Sequence, residues 1–270
     1  MLPIALTVVI FFCLSALLWA EIYILNQFTA TDINLHIRLG DVLIGLTIYL
    51  KTSIDFAIYI GRLMDKNPGT RGRIAIELGT AVGNAAGTMI ILLLWAFFKE
   101  IIWLLALMIF VASLVLLRMA EDGLEHVDPS EKRYPKWFYA TAKYFRHYLE
   151  RLNAIFEPLL RYVIPSINVK TRESLRFWPL FGLAFTVPFV LGLDDFAGYV
   201  PLFNIINVFG FAVGVFLGHM VLNMLLYISP KHTISVVKNS IISFLGSIAF
   251  VGLAVWGIIE TIKLLFFHHG

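Results

Sequence analysis

The sequence predicts an all-α integral membrane fold of about seven transmembrane helices, two inverted three-helix repeats preceded by an N-terminal helix. Three observations lead there. The first is composition: of 270 residues, 59% are hydrophobic and 14% charged, where a soluble domain carries about 25% charged residues. The second is a set of apolar runs, several of them longer than the ~18 residues that a spanning helix needs. The third is a phrase written twice. Gly79–Met89 reads GTAVGNAAGTM and Gly210–Met220 reads GFAVGVFLGHM, identical at six of eleven positions.

The runs fall at 2–25, 40–61, 75–98, 101–119, 177–199, 203–228 and 236–266. The first lacks the basic leading segment and small-residue cleavage site of a signal peptide, so 1–30 reads as a retained transmembrane helix. Residues 36–119 then form the first three-helix repeat, 120–175 a linker, and 176–266 the second repeat. Successive connections lie on alternate sides of a membrane. One side receives Arg62, Lys66, Arg71 and Arg73, eleven Lys/Arg in 118–176, and Lys231 and Lys238. The other receives only Arg38, Lys99 and Lys263. By the positive-inside rule the richer side is cytoplasmic, which places the N-terminus inside and the C-terminus outside. A bacterial inner membrane is the expected location.

Within the linker, Pro135 can start a helix. Trp137, Thr141, Tyr144, Tyr148, Leu152, Ile155, Leu159 and Val163 follow at helical spacing, with Lys136, Lys143, Arg146, Arg151 and Arg161 largely off that stripe. Such a helix suits the cytoplasmic membrane interface, or packs on the transmembrane bundle. The single cysteine, Cys13, cannot form an internal disulfide, and no Cys/His cluster suggests structural zinc.

The duplication extends beyond the glycines. Asp55-Phe-Ala-Ile-Tyr59 precedes the first copy and Asp195-Phe-Ala-Gly-Tyr199 the second, matching at four of five positions. Two matched blocks in one order imply that spans 2–4 and 5–7 are copies of a three-helix unit. An odd number of spans per unit makes the second copy enter from the opposite side, a common transporter architecture. Gly79, Gly83 and Gly87, and Gly210, Gly214 and Gly218, recur every four residues. That spacing lines one helix face with small residues and predicts a closely packed helix pair in each half.

Ionisable residues inside spans are expensive and mark functional sites. The candidates are Asp41, Lys51, Asp55, Glu77, Asp194, Asp195, His219 and Glu260. Asp55 and Asp195 occupy equivalent places in the two copies and are the expected ion- or proton-binding pair. They are also the candidate metal ligands, with Asp194, Ser53 and Thr52 adjacent. Lys51 lies four residues before Asp55, so the two could instead neutralise each other. Asn84, and His219 with Asn223 one turn later, are further binding candidates or interhelical hydrogen-bonding groups. Asp41 and Glu77 lie near span ends and are expected to be solvated or capping.

No phosphate-binding loop, nucleophile elbow, His-Glu-x-x-His or Cys-x-x-Cys occurs, and no nucleophile–base pair is visible. The chain therefore reads as a non-enzyme without a cofactor. Positive charge follows the membrane side, so no nucleic-acid partner is expected. The partners are the bilayer, a cation or small charged solute, and a membrane complex or further copies of the chain.

Thr52-Ser-Ile-Asp55 and Leu193-Asp-Asp195, each followed by a glycine-rich helix, resemble the acidic signatures of the lysine-exporter superfamily, in particular its cadmium-resistance and TerC-like branches. The resemblance covers 36–119 and 176–266 and implies a transporter exporting cations or small charged solutes. The cadmium-resistance type commonly has a second polar or acidic residue directly after the first acid, where this chain has Phe56. The expected function is proton-coupled export of a divalent metal by alternating access. The competing expectation is a non-transporting subunit that anchors a larger complex, and a carrier of an amino acid or organic anion is a third.

Overall fold

The computed structural model describes residues 2–127, 134–163, 176–237 and 239–267. The helices are α1 (Leu2–Leu25), α2 (Leu39–Thr52), α3 (Ile54–Lys66), α4 (Thr70–Phe98), α5 (Ile102–Glu125) and α6 (Lys136–Val163). They continue with α7 (Phe177–Gly198), a 3₁₀ turn at Val200–Asn204, α8 (Val208–Ile228), α9 (Pro230–Val237) and α10 (Ser240–Phe267). No strand occurs among the described residues. Among the described residues five helices are long and apolar enough to cross a membrane: α1, α4, α5, α8 and α10. A sixth span is possible if α2 and α3, bent by 68° between them, form one crossing. The described apolar stretch of α7, Phe177–Val190, is shorter.

Local chemistry sets several helix ends. Asn207 caps α8, its Oδ1 accepting from the Gly210 N–H at 2.7 Å. Asn239 does the same for α10 through the Ile241 N–H at 3.0 Å. Asn67 donates to the Leu63 carbonyl at the end of α3, and Pro68 then prevents the helix from continuing. The run expected at 236–266 is thus preceded by a separate short helix, α9.

The two glycine series act at helix crossings. A Cβ at Gly79 would fall 2.9 Å from Ala184 Cβ and 3.1 Å from Phe185 N, and one at Gly83 would strike the Phe185 carbonyl. A Cβ at Gly214 would strike the Val42 carbonyl, and one at Gly45 the Phe211 carbonyl. Gly218 lies against Tyr49 and Gly210 against Asp41. Gly87 is buried on the same face as Gly79 and Gly83. The close pairs are therefore α4 with α7 and α8 with α2. They join the two halves of the chain, whereas the sequence suggested a pair within each half.

Residue pairing also fixes helix direction. Gly79 meets Phe181 and Gly83 meets Phe185, so α4 and α7 run parallel. Asp41 meets Gly210 and Tyr49 meets Gly218, so α2 and α8 are parallel too. Gly123 faces Ser247 and Gly257 faces Ser113, which makes α5 and α10 antiparallel. One end of the bundle gathers the Arg73–Tyr227 contact and the Tyr134–Asn239 contact. The opposite end gathers Asn207 on the Asn34 carbonyl and Thr31 on Glu100. Thr31 donates to the Glu100 carboxylate through its hydroxyl at 2.9 Å and its N–H at 3.2 Å. These bonds, the hydroxyl first, hold Glu100 below the usual carboxylate range.

α6 packs on α5 and α10 through Phe138, Ala142 and Leu149. Asn153 donates to the Leu117 carbonyl at 3.1 Å and to Glu121 at 2.6 Å. This face is the neighbour of the stripe picked out from the sequence: Trp137, Tyr144, Tyr148, Leu152, Ile155 and Leu159 all remain exposed.

Two outcomes test this architecture. Gly214→Val should lower unfolding stability in detergent by about 1–3 kcal/mol through forced separation of α2 and α8. Gly252→Ala, with open space around it, should leave stability unchanged or raise it by about 0.5–1 kcal/mol. Because the Glu100 value is depressed, the Thr31 clasp is complete above the ordinary carboxylate pKa and is lost as pH falls through the lowered value. Amide exchange at Thr31 should accelerate over that acidic window and remain pH-independent there, after intrinsic correction, in Glu100→Gln.

Candidate functional site

The site begins where α2 stops. Residues 40–61 read as one continuous span, yet the helix breaks at Ser53, which serves as both the last cap of α2 and the first of α3. The sequence supplies the reason. Thr52 donates its hydroxyl to the Tyr49 carbonyl at 3.1 Å, a local bond that competes with the helical ladder. Ser53 keeps its own main chain paired, its N–H on Tyr49 O and its carbonyl on Ala57 N. The Ser53 side chain is 1% exposed and its Oγ has no hydrogen-bond partner.

Against this break lies a polar seam drawn from α2, α4 and α8. His219, 1% exposed, places Nδ1 2.6 Å from the Tyr49 hydroxyl and Nε2 3.0 Å from Asn223 Nδ2. Asn223 Nδ2 also donates to Thr80 Oγ1 at 2.9 Å, and Thr80 donates to the Glu77 carbonyl at 3.0 Å. The Tyr49 hydroxyl and the Asn223 carboxamide thus bracket the imidazole, one at each ring nitrogen. Asn223 Oδ1 then points into the core with no donor. From the second half, Tyr199 donates to Thr52 Oγ1 at 2.8 Å. Phe56 closes the apolar side, its ring 5.2 Å from His219.

Each candidate from the sequence takes a definite place. Thr52, Ser53, His219 and Asn223 converge on the break and seam. Asn84 continues the Thr80 face by one turn and Thr88 by two; both are buried, with Asn84 Nδ2 and Thr88 Oγ1 unpartnered. Glu77 and Asp41, expected to be solvated or capping, are buried instead, at 3% and 8% exposure. Packing decides this. Asp41 is covered by α8 at Gly210, and Glu77 is covered by α1, where the Thr7 hydroxyl donates to it. Lys51 lays its aliphatic stem over Gly246 of α10, and its Nζ has no hydrogen-bond partner. Glu260 pairs with Lys263 at 3.7 Å, away from the seam. The side chains of Asp55, Asp194 and Asp195 lie outside the described residues. Their backbones place Asp55 in the first turn of α3, and Asp194 and Asp195 in the last turn and a half of α7.

Sequence reasoning missed Tyr49, Thr80 and Tyr199. Two carried a signal: Tyr199 ends the second Asp-Phe-Ala-x-Tyr block, and Thr80 occupies the second position of the first glycine phrase. Tyr49 is marked only by its place one turn before Thr52.

The described seam is neutral, built of hydroxyls, one carboxamide and one imidazole. Among the described residues no group of three or more His, Cys, Asp or Glu side chains could hold a metal ion. Comparison of the chain with protein-family models, with curated proteins and with solved structures returns no match.

The short Tyr49–His219 contact should couple the two residues energetically. A double-mutant cycle with Tyr49→Phe and His219→Leu, read by unfolding in detergent, should give a coupling of about 0.6–1.7 kcal/mol, the range of hydrogen bonds between membrane helices. A cycle pairing Tyr49→Phe with the distant Thr233→Val should give none.

Proposed function

We propose that this chain is a seven-span membrane transporter that moves a cation by alternating access, in its most concrete form a proton-coupled exporter of a divalent metal. The single observation carrying this reading is the helix break at Ser53. It lies inside Thr52-Ser-Ile-Asp55, at the edge of a fully buried polar seam. Discontinuous helices that expose backbone groups and polar side chains to a cavity are how secondary transporters build ion sites. Asp55 follows the break within α3, and Asp195 opens the matching block near the end of α7. The two acids would supply the charge that the neutral seam lacks.

The helix pairing supports an inverted repeat. A two-fold axis in the membrane plane that exchanged the copies would carry the α4–α7 contact onto the α8–α2 contact. It would return α5–α10 to itself. Parallel pairs would remain parallel and the α5–α10 pair antiparallel, as the contacts are. Alternating crossings also put Arg62, Lys66, Arg71, Arg73 and Lys231 at one end of the bundle, and Arg38, Lys99 and Lys263 at the other. By charge the first end is cytoplasmic, in a bacterial inner membrane.

One observation favours the second reading, an anchoring subunit of a membrane complex. The described seam groups largely satisfy one another, as they would in a purely structural core. Transport distinguishes the two. Purified protein in liposomes should take up divalent cations such as Mn²⁺ or Cd²⁺ under a proton gradient. Asp55→Asn and Asp195→Asn should each reduce uptake to the protein-free background while the protein keeps its elution profile and thermal transition. Wild-type protein that moves none of these ions, but retains a stoichiometric membrane partner on purification, would favour the anchor.

A further inference from the structure

α6 offers a second surface, independent of the seam. Its faces can be assigned from contacts. Phe138, Ala142, Leu149 and Asn153 meet α5 and α10. The neighbouring sector carries Trp137, Tyr144, Tyr148, Leu152, Ile155 and Leu159, exposed at 69%, 64%, 55%, 39%, 69% and 44%. An apolar stripe of this length beside a bundle already packed is not explained by the fold.

Charge indicates what meets it. At about 100° per residue, Lys136, Lys143 and Arg151 fall on the sector beyond the stripe, on the side away from α5. All three are exposed, and none forms an ion pair among the described residues. Arg146 differs: it bonds to Glu125 at 2.7 Å and to Glu150 at 2.8 Å. Glu125 and Glu150 are thus engaged by Arg146, Glu157 is exposed without an ion pair among the described residues, and three cations lie beside the stripe. The stripe is aromatic at its N-terminal half, where the Tyr144 hydroxyl donates to that of Tyr148 at 3.0 Å. Tyr and Trp favour the level of lipid headgroups, where ring and hydroxyl are both satisfied. The Phe138–Phe244 and Arg146–Glu125 contacts put this half of α6 at the end of the bundle that carries most of the Lys and Arg.

We infer that α6 is a seat for anionic phospholipid. Its aromatic stripe enters the bilayer interface beside the bundle, while Lys136, Lys143 and Arg151 bind the phosphate headgroups of that leaflet. Lipid, not protein, is the occupant because the cations flank the stripe along its length. That arrangement fits a plane of phosphates above an acyl layer.

The test uses full-length protein in phosphatidylcholine bilayers containing spin-labelled phosphatidylglycerol or spin-labelled phosphatidylcholine. Wild-type protein should hold phosphatidylglycerol several-fold more strongly than phosphatidylcholine, and salt should weaken that preference. The triple variant Lys136→Gln, Lys143→Gln, Arg151→Gln should lose most of it. Arg62→Gln, Lys66→Gln, Lys231→Gln, which removes three exposed charges at the same end, should retain most of it. Equal preference in both variants, or none in wild type, overturns the inference. So does an acidic protein that these cations retain without any lipid preference. A second arm places a spin label at Tyr148→Cys, and separately at Ile155→Cys, in a Cys13→Ser background. Greater accessibility to oxygen than to a water-soluble nickel complex is expected at both positions, and the reverse overturns the seat.

Discussion

The structure depends on main chains from opposite halves of the sequence touching without an intervening Cβ. At Gly83 and Gly214 the neighbouring atom is a carbonyl of the partner helix, and Gly45 returns the contact from α2. In a lipid environment apolar surface gains little from leaving the solvent, so close packing and hydrogen bonds must hold helices together. Glycine at these crossings provides that closeness. It also brings α2 and α8 near enough for Tyr49 to reach His219. The seam is a consequence of the glycine contact, because a wider crossing would leave the imidazole and phenol unpaired in a dry interior.

The second constraint is that irregular backbone at membrane depth must be enclosed by protein. Among the described residues, Ser53 and the start of the 3₁₀ turn meet it. Ser53 is buried with its peptide groups bonded to Tyr49 and Ala57. Tyr199, which precedes the 3₁₀ turn, and Val200 within it are fully buried, and Leu202 and Phe203 nearly so. Phe203 packs on Trp95 and on Phe211. Ser53 lies two residues before the first Asp-Phe-Ala-x-Tyr block, and the 3₁₀ turn begins directly after the second. The irregular backbone thus flanks the repeated blocks, before the first and after the second.

Much of this was legible before any coordinates. Composition and run length give the helical membrane class, and five of the runs are long apolar helices. Four-residue glycine spacing marks the faces that pack closely. It does not name the partner, because a small residue permits approach by any backbone; only the fold brings α7 to α4 and α2 to α8. The Ser53 break was hidden by hydropathy, which averages across Thr52 and Ser53 and does not register a hydroxyl turning back on Tyr49. Asp41 and Glu77 were misjudged for a related reason. Position along a helix gives depth, whereas burial depends on the neighbour, and here the neighbours are α8 and α1. For α6, periodicity found an apolar stripe, but the adjoining stripe of Phe138, Ala142 and Leu149 makes the contact. A helix with two apolar sectors has no single preferred face in sequence.

These contacts also decide which parts of a carrier of the proposed kind could move. Each glycine crossing unites one helix from each half of the chain, so α4–α7 and α2–α8 are the stiff bodies. Sliding within either pair would drive a backbone carbonyl against a helix that has no room for it. Between the pairs, α4 meets α8 through Thr80 and Asn223, a hydrogen bond made by side chains that can exchange partners at little cost. Asn223 Oδ1, Thr88 Oγ1 and Ser53 Oγ, all lacking partners, lie on the helices that border this division. Alternating access needs a rigid side and a surface with two comparable arrangements. The glycine crossings have the character of the first, and the polar division between the pairs has the character of the second.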